Sequence, residues 1–215
     1  LSAKAVYWHH DVEPYAQIRD ARVADVLKQQ SIEVYTDWDR LLHDPTTIKT
    51  GNQQPYSVYT PFWRNWNSRS KPAPVEVKLP ATKLTPTEHQ ALTQLPVINL
   101  PTAKDLGFTW DKPLIFEPGT SAAEQQLLDF CHRSIFEYDT QRNYPAISGT
   151  SGLSAALKFG TIGIRTVWAA TITAMAEARS DEARAGITTW QQELAWREFY
   201  QQALYHFPIL AQGAY

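Results

Sequence analysis

Eleven of the fourteen prolines in this 215-residue chain fall within residues 45–118. Proline fixes φ and removes a backbone donor, so the stretch disfavours long helices and central strands and divides the chain in two. Two pieces inside it keep ordered character. Residues 59–66 are aromatic enough to pack, and residues 85–92 have the pattern of a short helix. The remainder reads as a long connector lying over neighbouring domains.

Ahead of the prolines, residues 4–8 and 32–36 read as strands. Residues 13–30 between them carry Tyr15, Ile18, Ala21, Val23, Val26 and Leu27 at helical spacing. Strand, helix and strand in so short a span predict one βαβ unit of a parallel sheet. One such unit cannot bury both faces of a sheet, so further strands are expected from outside this sequence. Beyond the prolines the pattern is helical, over residues 121–136, 151–159, 163–179 and 180–206. Ser121 with Glu124 has the spacing of a capping box. Ser180 with Ala183, or Asp181 with Arg184, is placed to cap the last helix. The expected organisation is thus a partial parallel α/β domain at 1–44, a connector at 45–120 and a partial all-helical domain at 121–215.

The formal net charge of −2 gives no global pull toward nucleic acid, so phosphate binding needs a local basic patch. Eight Trp, ten Tyr and eight Phe lean toward a stacking site, although large cores also use them. Cys131 is the only cysteine, which excludes an intrachain disulfide and a Cys-based metal site; its setting is that of a buried small residue. No segment has the apolar length of a membrane span. No signal or transit pattern opens the chain, and it starts with Leu1.

Two motifs carry chemistry. In residues 190–200, Glu193, Trp196, Arg197 and Tyr200 fall at i, i+3, i+4 and i+7, one face of a helix. Two readings stand on spacing alone: a wall for a planar ligand, or an amphipathic helix with a solvated Glu193–Arg197 pair. The second motif is Gly149, Thr150, Ser151, Gly152, Leu153 and Ser154, just ahead of a helical run that includes Lys158. Glycines, hydroxyls and a helix start suit an anion; they equally suit an ordinary helix cap. Upstream, Tyr138 and Arg142 share a direction if a helix persists that far. Arg142 then has a phosphate, Asp139 or a helix C-terminus as its possible partners.

Taken in this order, Tyr138, Arg142, residues 150–154, Lys158 and the 190–200 segment resemble the DNA photolyase/cryptochrome family. They look most like class I cyclobutane pyrimidine dimer photolyases of the cyanobacterial type. The likeness runs the whole length, through residues 7–15 (Tyr-Trp-His-His-Asp-Val-Glu-Pro-Tyr) and residues 56–62 (Tyr-Ser-Val-Tyr-Thr-Pro-Phe). It implies a Rossmann-like N-terminal domain and a helical FAD-binding domain, both partial, because family members are about twice as long. It also implies a bacterial cytoplasmic protein, monomeric at full length, whose partner is damaged DNA. Light excites reduced FAD in that family, an electron passes to the dimer, the cyclobutane ring splits and the electron returns.

By the same resemblance, Tyr138, Thr150, Ser151, Gly152, Leu153, Ser154 and Arg197 hold FAD. Arg142, Glu193, Trp196, Arg197 and Tyr200 face DNA, with Glu193 and Trp196 as the catalytic pair. Trp196 stacks on a thymine, a contact worth roughly 1–3 kcal/mol. Glu193 either donates to the dimer as the protonated acid or stays ionised beside Arg197. A deazaflavin- or folate-type antenna is implied at Asp11, Glu13 and Lys158, although His9 and His10 depart from the family's Asn-Arg-Asp; no metal is expected there. A cryptochrome-like receptor and an inactive truncated product are the competing readings.

Overall fold

The computed structural model describes residues 3–76, 85–94, 100–109 and 111–213. Strands β1 (Ala5–His9) and β2 (Glu33–Asp37) pair in parallel, Ala5 opposite Glu33 and His9 opposite Asp37. Helix α1 (Pro14–Gln29) joins them, with Pro14 in its first turn, where a missing N–H is harmless. This is the βαβ unit expected from the sequence, and its sheet has two strands among the described residues.

The aromatic piece of the proline-rich stretch folds as α2 (Tyr59–Ser68). Pro61 is tolerated because the first turn's N–H groups have no intrahelical partner. The helix buries Phe62 and Trp66 completely, and Ile48 ahead of it is equally sealed. Each such aliphatic or phenyl side chain stabilises by about 1.5–3 kcal/mol.

The helical part follows as α4 (Thr120–His132), α5 (Tyr138–Gln141), α6 (Ser154–Phe159), α7 (Ile164–Glu177) and α8 (Asp181–His206). The expected capping box at Ser121 is absent: α4 starts one residue earlier behind Gly119, which makes no side-chain cap. The helix expected over 121–136 also breaks at Arg133, and a 3-10 turn (Ser134–Glu137) leads into α5. That break lets Ile135 and Tyr138 both enter the core. Ser180 does cap α8, accepting from the Ala183 amide at 3.1 Å.

Contacts divide the chain into two units. The first comprises Leu1–Pro74 with Pro118–Tyr215. Its core gathers Phe62 and Trp66 from α2, Phe130 from α4, Val167 and Trp168 from α7, and Ile187, Trp190 and Leu194 from α8. The second, Val75–Glu117, holds α3 (Pro86–Thr93). Thr85 and Glu88 close a capping box at its start, each satisfying the other's backbone N–H. No helix of the described residues is long and apolar enough to cross a membrane.

Candidate functional site

The two charged residues of the α8 stripe, Glu193 and Arg197, do not pair with each other. Glu193 accepts from the Arg142 guanidinium at 2.5 Å, both side chains about one-third exposed. The Arg142 guanidinium also lies 5.4 Å from the Tyr138 ring centre, so Tyr138 and Arg142 do share a direction. Arg197 turns away and donates to the Arg40 carbonyl at 2.9 Å. Burial draws its pKa down, against the pull of neighbouring Glu198. The Glu193–Arg197 salt bridge is therefore not the arrangement; each group has a partner from another segment.

Trp196 remains partly exposed. Tyr59 lies flat against its indole, 3.6 Å between ring centres and 7° from parallel, and Tyr200 stacks 5.5 Å away with most of its surface open. Arg142, Glu193, Trp196 and Tyr200 thus share one open side of α8.

The glycine–hydroxyl turn is pinned from behind. Gln126 on α4 donates to the Ser151 carbonyl at 2.7 Å, and Leu153 is buried in the core. Gly149 sits so close to Gln141 of α5 that a Cβ there would meet its side chain at 2.5 Å. The turn is thereby locked to the helix that carries Tyr138. Gly152 takes φ +62°, a left-handed conformation that lets successive amides point into one concavity. Among the described residues the amides of Thr150, Ser151 and Gly152 have no protein acceptor, and the Thr150 and Ser154 hydroxyls have no protein partner. Five free donors on a fixed turn fit the pyrophosphate of the dinucleotide that the resemblance implies.

The antenna candidates are not gathered together. Asp11 forms an ion pair with Arg40 and lines a cavity of about 480 Å³ with Trp8, His10, Trp38 and Tyr205. Glu13 is exposed and donates its amide to the Asp11 carboxylate. Lys158 instead borders a separate cavity of about 270 Å³, with His9, Arg40 and Arg197.

Glu198 and Tyr59 do not stand out in the linear sequence. Glu198 is fully buried; one carboxylate oxygen accepts from the Leu42 amide and the other from the Trp66 indole at 2.7 Å. Burial pushes its pKa up to about 7, against these hydrogen bonds and Arg197. The signal was the core period itself, since Ile187, Trp190, Leu194 and Glu198 recur at helical spacing. Nearby, Arg165 and Asp39 meet at 2.5 Å and His206 reaches the Pro45 carbonyl at 2.9 Å, so residues 39–45 are stitched to the helices at several points.

The profile of the DNA photolyase family matches residues 1–83. The chain is 54% identical, over its whole length, to a deoxyribodipyrimidine photo-lyase of Synechococcus sp., and it spans 44% of that protein. An uncharacterized 31.6 kDa protein from another Synechococcus strain is 55% identical over 93% of the chain, which covers 68% of it. Among solved structures, a class III photolyase from Agrobacterium tumefaciens superposes with a TM-score of 0.74 at 32% identity, over 96% of this chain and 42% of that one. Together these likenesses make the chain a member of the DNA photolyase family.

Proposed function

We propose that the protein carrying this chain repairs cyclobutane pyrimidine dimers in DNA as a light-driven photolyase. One observation carries the reading: a pinned turn with free donors is locked through α5 to the open side of α8, where Arg142, Glu193, Trp196 and Tyr200 lie. FAD fits as the resident group: Thr150, Ser151, Gly152 and Ser154 would hold its pyrophosphate, beside Tyr138. When bound in its reduced state, it supplies the photoexcited electron that the dimer needs.

The remaining work falls to the chain's own residues. Trp196 offers an indole face to a base turned out of the stack, and opening a damaged step costs less than opening an intact one. Arg142, paired with Glu193 on this surface, takes a DNA phosphate, loosening its hold on Glu193. Freed in that way, Glu193 lies one turn from Trp196, on the side of α8 where the dimer would sit. Arg197, tied to the Arg40 carbonyl, holds the back of α8 to the α/β segment.

The test is illumination of the flavin-loaded protein with dimer-containing oligonucleotide. Absorbance at 260 nm should recover in the light and not in the dark, and W196A should bind the lesion more weakly. Absence of light-dependent recovery would falsify the repair reading and favour a cryptochrome-like receptor.

A further inference from the structure

We infer that Tyr59 is a positioning residue for the lesion: it fixes the plane of Trp196, the partly exposed indole that receives a flipped base. The inference rests on the proposed repair reading, in which Trp196 receives that base.

Three observations support it. The Tyr59 ring covers Trp196 at 3.6 Å and 7°, closer and flatter than the other aromatic contacts of that indole. The Tyr59 hydroxyl donates to the Gln192 carbonyl at 2.8 Å, one helical turn before Trp196. Its ring is therefore clamped along one turn of α8 rather than leaning on it. Burial, then Glu193, raises the phenol's pKa, so it remains a donor throughout the neutral range. From its rear, Phe199 meets the Tyr59 ring edge-on at 5.8 Å.

The physical consequence is a loss of freedom that has already been taken in the unbound protein. A partly exposed tryptophan on a helix samples several rotamers, and a base that stacks on it must select one. With Tyr59 against one face, rotation about χ1 or χ2 sweeps the indole into a fixed ring. The stacking surface is thus preorganised, which raises affinity without any contact between Tyr59 and DNA. The residue comes from the proline-rich segment, outside the helices that carry the rest of the wall.

The experiment compares Y59F, Y59A, W196A and Y59A/W196A in the full-length, flavin-loaded protein. Binding to dimer-containing and to undamaged oligonucleotide is measured together with absorbance near 450 nm. Y59A should lose about tenfold in preference for the dimer, in the range of one base–aromatic stack. Y59F, which keeps the ring, should stay within about twofold of the parent protein. Y59A/W196A should be no worse than W196A alone, because the tyrosine acts only through the tryptophan. If W196A loses the preference and Y59A keeps it, the role of Tyr59 is overturned and the repair reading stands. If W196A itself keeps it, the repair reading fails and takes this inference with it. Loss of flavin in Y59A, or equal weakening on both oligonucleotides, would mark a merely structural role and also overturn it.

Discussion

Glu198 is the residue whose chemistry is most at odds with its place. Its folded pKa of about 7 lies above the ordinary 4.5, so the stability it confers is complete below about pH 4.5 and drains away as pH rises through 7. A shift of that size is on the order of 3 kcal/mol. Two neighbours run the other way. Burial holds His43 at about 4, and its contribution grows as pH rises from 4 to 6.5; Lys71, lowered to about 8, adds stability from there toward 10.5. The wild-type profile is therefore nearly flat from pH 4.5 to 6.5, while E198Q should gain stability over that interval. Thermal melts at pH 5 and pH 7 check this, and parallel profiles would rule out Glu198 as the titrating group. The sequence exposes such a residue only in part. Glu193 and Glu198 are both glutamates in one helix, and periodicity assigns Glu198 to the core face. It does not reveal that Leu42 and Trp66, 156 and 132 residues away, supply the donors. Tyr138 and Arg142, by contrast, were legible because their i,i+4 spacing is local.

The elements are most legible where their signals are local. Both strands and α1 follow from alternation and helical period, and α8 from its length and the Ser180 cap. The break in the helix expected at 121–136 was not visible, because the apolar period runs on through Arg133. Tertiary packing decides it. Gly186 of α8 approaches the 3-10 turn so closely that a Cβ would stand 2.7 Å from the Phe136 carbonyl oxygen and 2.8 Å from that of Ile135. Those are backbone atoms, so the neighbour cannot swing aside. G186A should destabilise the protein by about 1–3 kcal/mol through overpacking, despite alanine's better helix propensity. Urea denaturation would show the loss, and a variant more stable than the parent would mean that α8 does not press on this turn.

For the whole molecule, the chain spans 44% of the Synechococcus photo-lyase it resembles. Its two-stranded sheet leaves Tyr7 72% and Tyr35 47% exposed, stacked on each other at 4.9 Å, and α1 leaves Tyr15, Ile18 and Val26 at the surface. Expressed as these 215 residues alone, it should bind a hydrophobic dye strongly and self-associate, as large exposed apolar patches do. Size-exclusion chromatography with dye fluorescence tests this; a dye-silent monomer would show that these faces are already satisfied. The helical half was largely legible as helices. Its attachment to residues 39–45 was not, since ion pairs and caps across so long a separation leave no mark in the linear pattern.

That attachment has a consequence in time. Glu198 is made 156 residues after Leu42 and 132 after Trp66. At about 5–20 residues per second, a ribosome takes roughly 7–30 s to cover such a distance. Throughout that interval the indole of Trp66 and the amide of Leu42 have no carboxylate to receive them, and Tyr59 has no α8 to lie against. Helix α2 therefore completes its packing only when α8 has been made. That helix suits the wait: ten residues with Pro61 in the first turn hold little helix on their own, so there is little to undo when α8 arrives.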